Sequence, residues 1–166
     1  MLLTGTFVRC IDEKFRFSIP KPVRVALGFP ERTAFFVAPG TDGSLALYPE
    51  EAFAKLGDQL SEASPTGPNV RAFSRLFYAQ AQRVEADRHA RIRIPADLAK
   101  LAQLQSDIVV VGVRDHLELW NQSAWERYLE MMLPRYDEFA ESAFASNLRP
   151  GSVESTAGVE MPIRPK

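Results

Sequence analysis

At 166 residues, 46% hydrophobic and 25% charged, the chain has the composition of a globular protein holding one ordinary domain or two small ones. Its single cysteine, Cys10, excludes an internal disulfide framework, and its two scattered histidines exclude a Cys/His metal site. The formal net charge of -1 says little about a polyanionic partner until its distribution along the chain is known.

The N-terminal stretch MLLTGTFVRC has no basic leader ahead of an apolar core, and no run approaches the ~18 apolar residues of a membrane span. The expectation is an intracellular chain with no membrane partner. Residues Asp12 to Pro20 then read DEKFRFSIP. Strand alternation sets Phe15, Phe17 and Ile19 on one face and Arg16 and Ser18 on the other, a half-buried strand with a cation held outward. Pro20 ends that strand and opens a short helix over Pro22 to Leu27, with Lys21 and Arg24 close to Arg16. Strands follow at Phe35 to Ala38 and Ser44 to Tyr48, and then Phe53. The stretch Leu56 to Asn69 contains Gly57, Ser61, Ser64, Pro65, Gly67 and Pro68 and reads as a break. A helix is predicted from about Asn69 to Gln82, with Val70, Phe73 and Phe77 spaced for burial and Arg71 and Arg75 one turn apart on another side.

Asp87 to Pro95 reads DRHARIRIP, so Asp-x-x-x-Arg-x-x-Ile-Pro occurs twice at an offset of 75 (Asp12 to Asp87). Ala90, Ile92 and Ile94 face one way, Arg91 and Arg93 the other. A helix over Ala96 to Leu104 and strands at Ile108 to Val111 and His116 to Trp120 repeat what followed the first copy. With a turn shorter by three residues, Leu45, Leu47, Tyr48 and Phe53 fall on Leu117, Leu119, Trp120 and Trp125. This is one supersecondary unit used twice. It divides the chain into a first repeat (1–55), a connecting segment and helix (56–80), a second repeat (81–125), a C-terminal helix (126–145) and a Ser/Gly/Pro-rich tail (146–166) expected to be disordered. The helix starts at an Asn121 cap, keeps Trp125, Leu129, Met132, Tyr136, Phe139 and Phe144 at helical spacing, and kinks or restarts at Pro134. Units of this size bury little surface alone, so the halves share one core and further subunits are expected.

The charges are unevenly spread. Residues 1–24 carry Arg9, Lys14, Arg16, Lys21 and Arg24 against Asp12 and Glu13, a balance of +3. Residues 71–100 carry seven bases against Glu85, Asp87 and Asp97, a balance of +4. Both motifs lie in basic ground, the footprint of a nucleic-acid partner.

Two strand-turn-strand units carrying Asp-x-x-x-Arg, each followed by Ile-Pro, a short helix and a hairpin ending in Leu-x-Leu-Tyr or Leu-x-Leu-Trp, resemble the MraZ family from about Leu3 to Phe144. The resemblance implies an α+β fold of two AbrB-like swapped-hairpin repeats, forming a pseudo-twofold double-split β-barrel with flanking helices. It implies a sequence-specific transcriptional regulator of the division and cell-wall gene cluster, cytoplasmic and nucleoid-associated. Such a regulator binds tandem repeats in promoter double-stranded DNA as a ring-shaped homo-oligomer. Asp12, Lys14 and Arg16 match the first family motif, Asp87 and Arg91 the second, and Arg71 with Arg75 the paired arginines of the connecting helix. The family's glycine is Phe15 in the first motif and Ala90 in the second, and His89 stands where a second lysine would be.

Aspartate and arginine four apart on a turn can approach so that the carboxylate holds the guanidinium by a bidentate pair. The remaining N–H donors are then aimed at a phosphate or a guanine edge. The competing interpretation is that each pair only ties down its own turn. Clustered cations around Arg16 favour an anionic partner. The DNA-binding candidates are therefore Lys14, Arg16, Lys21 and Arg24, with Arg91 secondary, and Asp12 and Asp87 position the loops. An alternative is a ring-forming assembly protein that has lost operator binding. Asp12-Glu13-Lys14 superficially resembles the tail of a metal-dependent nuclease site, but no carboxylate precedes it to share a metal ion. No enzyme activity, catalytic residue, metal, cofactor or small-molecule substrate is expected.

Overall fold

The computed structural model describes residues 1–62 and 67–145, with the side chains of Ser61 and Glu62 left aside. The tail, 146–166, whose disorder the sequence predicts, lies outside the described residues. The chain divides into a unit of Met1–Tyr128 and a second that begins at Leu129.

In the first unit β1 (Thr6–Cys10) and β2 (Arg16–Ser18) flank the first motif, and α1 (Lys21–Leu27) follows with Pro20 at its N-cap. A hairpin of β3 (Ala34–Pro39) and β4 (Leu45–Pro49) leads into α2 (Glu50–Glu62). After α3 (Pro68–Gln80) the pattern returns: β5 (Gln82–Glu85), β6 (Arg91–Arg93), α4 (Ala96–Leu101), β7 (Asp107–Val113), β8 (His116–Asn121) and α5 (Gln122–Met132). Half of the stretch read as a break, residues 56–62, is the end of α2. Phe53, Leu56 and Leu60 keep helical spacing there, and Gly57 costs only about 1 kcal/mol against that packing.

The strands form a six-stranded antiparallel sheet in the order β1-β7-β8-β4-β3-β5 and a separate two-stranded ribbon, β2-β6. Exchanging the repeats converts the six-strand order into itself. The outer strands cross over: β1 of the first repeat pairs with β7 of the second, and β5 of the second with β3 of the first. In the ribbon Phe17 is opposite Ile92, its own repeat counterpart, and in the sheet Ala46 is opposite Glu118 with Leu45 and Leu47 across from Leu119 and Leu117. Both registers thus centre on one pseudo-twofold relation.

Alternation puts one face of each strand into a common core. Phe17, Ile19, Ile92 and Ile94 join Val37, Leu45, Leu47, Ile108, Val110, Leu117 and Leu119, closed by Val23 and Leu27 of α1 and Leu98 and Ala99 of α4. On the sheet's other face Tyr48 meets Phe53 of α2 at 5.9 Å and 57°, and Trp120 meets Trp125 of α5 at 5.3 Å and 59°. The matched positions therefore pack alike. Gly112 is required where the N-terminal segment crosses β7, because a Cβ there would sit 2.5 Å from the Thr4 nitrogen.

The side chain of Asn121 accepts from the Ala124 N–H at 3.2 Å, so it caps α5. In the second unit α5 ends, a 3-10 turn spans Leu133–Arg135, and α6 covers Tyr136–Ala145, which is the restart Pro134 requires. Phe73, spaced for burial on α3, is exposed, whereas Phe77 is buried. Among the described residues no helix is long and apolar enough to cross a membrane, and no three His, Cys, Asp or Glu side chains gather as a metal site.

Candidate nucleic-acid interface

Each Asp-x-x-x-Arg motif closes a tight turn between β1 and β2 or between β5 and β6. In the first, the Asp12 N–H donates to the Arg16 carbonyl at 2.9 Å and the Phe15 N–H to the Asp12 carbonyl at 2.9 Å. The second repeats this with Asp87 to Arg91 at 2.9 Å and Ala90 to Asp87 at 2.8 Å. The fourth residue of each turn is left-handed, with φ of 57° at Phe15 and 56° at Ala90. A side chain rarely enters that region, and it is the conformation a glycine would supply.

The aspartates stabilise the turns against that strain by dividing their oxygens between two tasks. Oδ1 of Asp12 accepts the backbone N–H groups of Lys14 and Arg16, both at 2.9 Å, and Oδ2 accepts Nε of Arg16 at 2.8 Å. Asp87 does the same with His89 and Arg91, at 2.9 Å each, and with Nε of Arg91 at 2.8 Å. The expected two-oxygen carboxylate clamp on the guanidinium does not form, because one oxygen is committed to the backbone. Backbone donation from Arg16 is the largest influence holding the Asp12 carboxyl below its usual range. For Asp87 the Arg91 side chain comes first, and the pKa falls to about 2.

Nε is engaged, so each guanidinium is held through its stem, separately from its terminal amino groups. Those of Arg16 meet no acceptor among the described residues, whereas Nη2 of Arg91 also lies 2.7 Å from Asp87 Oδ2. The loops are tied across the ribbon ends: the Ile94 N–H donates to the Phe15 carbonyl at 2.8 Å and the Ile19 N–H to the Ala90 carbonyl at 2.9 Å. On the ribbon's outward face Arg16 is opposite Arg93, and Ser18 is opposite Arg91.

The remaining predicted residues are distributed around this face. Lys14 is exposed at the first loop tip, and Lys21 is exposed at the start of α1. Arg24 is half-buried and spends Nε on the Ile19 carbonyl at 2.7 Å, anchoring α1 to the end of β2. Arg71 and Arg75 are exposed on α3. Two cations absent from the predicted set join the second motif: Arg93 on the ribbon and Arg88 at the loop tip, where its Nε lies 3.1 Å from Nε2 of His89. The signal was a charge count. Residues 12–18 set Lys14 and Arg16 against Asp12 and Glu13, net 0, while residues 87–93 set Arg88, Arg91 and Arg93 against Asp87, net +2.

Residues 77–144 match the family model described as "MraZ protein, putative antitoxin-like". The protein named transcriptional regulator MraZ from Heliobacterium modesticaldum is 35% identical over 140 residues, 84% of this chain and 95% of that one. Its namesake from Lactiplantibacillus plantarum is 37% identical over 138 residues, 83% of this chain and 95% of that one. That of Desulfitobacterium hafniense is 37% identical over 141 residues, 85% and 96% of the two chains. These relatives are named for transcriptional regulation rather than for an enzyme activity. Likeness at this level over almost the whole of each relative means that the chain belongs to the MraZ family.

Proposed function

We propose that this chain is a sequence-specific transcriptional regulator that grips double-stranded promoter DNA with its arginine turns. The observation that carries this reading is the pair of turns itself: two loops of near-identical hydrogen bonding, each fixing an arginine stem and presenting it on an exposed ribbon face. Fixed guanidinium groups lose little freedom on meeting a phosphate or a guanine edge. Arg16 and Arg91 make the principal contacts, Lys14 and Lys21 add charge beside them, and Arg24 acts by holding α1 in place. Asp12 and Asp87 position the loops.

The crossing of outer strands between the halves supports two AbrB-like swapped-hairpin repeats in a pseudo-twofold double-split β-barrel. One chain offers few phosphate contacts, which is weak binding at physiological salt. A ring of subunits on tandem repeats gains by effective concentration. Apolar side chains left open in a single chain fit that assembly: Phe73 and Leu76 on α3, and Tyr136 and Phe144 in the second unit. The operator is a set of short tandem repeats upstream of the division and cell-wall gene cluster, and the protein works on the nucleoid in the cytoplasm.

The alternative, a ring that has lost its operator, draws on Glu13, on the near-neutral charge and on Phe15 in place of glycine, the last an objection to the geometry of the turn. Both turns nevertheless close, so that objection loses its force. Titration of a duplex carrying tandem promoter repeats decides between the readings. Arg16→Ala is expected to weaken binding by about 1–3 kcal/mol, roughly tenfold to a hundredfold. Equal affinity and an unchanged salt slope sink the assignment of Arg16. No retention by the parent at low salt, with the oligomer intact by light scattering, favours the assembly reading.

A further inference from the structure

The pseudo-twofold relation runs through the Phe17/Ile92 pair, so Arg16 is opposite Arg93 and not opposite its own counterpart, Arg91. The two ends of the ribbon therefore differ. One end sets arginine against arginine, and the other sets Ser18 against Arg91. Directly opposed residues have Cβ atoms only about 4.5–5.5 Å apart, and like charges placed there repel. Neither side chain can escape inward, because the ribbon's other face is filled by Phe17 and Ile92, 1% and 0% exposed.

Asp12, the carboxylate that pairs with Arg16, makes no ion pair with Arg93. Asp12 spends Oδ1 on two backbone N–H groups and Oδ2 on Nε of Arg16. Among the described residues no acid pairs with Arg93, which is exposed. With the loop tips counted, Lys14, Arg16 and Arg93 against Asp12 and Glu13 leave +1 at this end, and Arg88 and Arg91 against Asp87 leave +1 at the other. What sets this end apart is that two arginines, one from each repeat, stand directly opposite each other across the ribbon.

We infer that Arg16 and Arg93 together form a phosphate-binding site, which in the DNA complex takes one backbone phosphate between the two guanidinium groups. The non-bridging oxygens accept from the terminal N–H groups of both arginines, and the charge that repels in the free chain is neutralised on binding. The identity of the ligand rests on the DNA-binding reading, and the site deepens it. Each contact point needs both repeats, with Arg16 steered by its aspartate and Arg93 supplied across the ribbon.

The test uses the full chain and a mixed-sequence duplex, followed by fluorescence anisotropy across a range of salt. Arg93→Ala and Arg93→Ser are expected to bind about threefold to tenfold more weakly whatever the sequence, with the salt slope reduced by about one per engaged subunit. Combined with Arg16→Ala, either loses less than the product of the single losses. In calorimetry, millimolar pyrophosphate raises the Tm of the parent but of neither Arg16→Ala nor Arg93→Ala. If the parent retains the duplex and Arg93→Ala matches it in affinity and slope, the site is wrong and the DNA reading stands. Strictly multiplicative losses also overturn the shared site. If the parent retains no duplex but pyrophosphate stabilises it through both arginines, the site stands and the DNA reading falls.

Discussion

Phe15 and Ala90 occupy left-handed backbone that costs a side-chain-bearing residue about 1–2 kcal/mol. They remain there because each aspartate brace supplies two backbone acceptor contacts and an arginine contact around them. Ala90→Gly would relieve the strain, yet it forfeits a buried methyl worth about 0.8 kcal/mol and adds about 0.5–1 kcal/mol of chain entropy. Its denaturant-derived stability should therefore fall within about 1 kcal/mol of the parent. The braces also predict an acid response. Asp87 is shifted from its ordinary 3.8 to about 2, so the folded state binds fewer protons than the unfolded state between those values. Its stabilisation is complete above pH 3.8 and is lost as pH falls through about 2, with Asp12 acting in the same direction. Tm measured over that range should fall with acidification in the parent and less steeply in Asp87→Asn. The Asp-Arg pairing was legible from its spacing. The division of labour between the carboxylate oxygens was not, since only the closed turn presents the backbone N–H groups that claim Oδ1.

The ribbon is the element on which the site depends. Phe17 lies at its centre opposite Ile92, 1% exposed, so it holds the two arginine-bearing strands in register from beneath. Phe17→Ala should cost about 3–5 kcal/mol in chemical denaturation, the range for a buried phenylalanine, and weaken DNA binding without touching a cation. Alternation fixed which residues of β2 and β6 face outward. It could not show that Arg93 would meet Arg16, because that follows from the pairing of strands 75 positions apart in the repeat (Arg16 to Arg91). Helix limits divided along the same line. The Asn121 cap and the interruption at Pro134 were readable because their causes are local. The end of α2 and the exposure of Phe73 depend on packing.

Across the whole molecule the repeat supplies a two-ended ribbon from a single chain, with two arginines opposed at one end. The matching Tyr48–Phe53 and Trp120–Trp125 contacts were visible as aligned residues in the sequence. The crossover of β1 and β5 was available only through family resemblance, since β1-β7 and β5-β3 pairing leaves no periodic trace. That crossover binds the halves into one core, so both arginine turns are presented from one framework. We propose that this framework reads tandem promoter repeats through Arg16 and Arg91, and the decisive experiment is recovery of DNA fragments crosslinked to the protein in cells. Fragments carrying short tandem repeats upstream of the division and cell-wall genes are expected to be enriched, and the enrichment to be abolished in Arg16→Ala/Arg91→Ala at equal protein level. Recovery no greater than input DNA, or undiminished enrichment with the double variant, would contradict it.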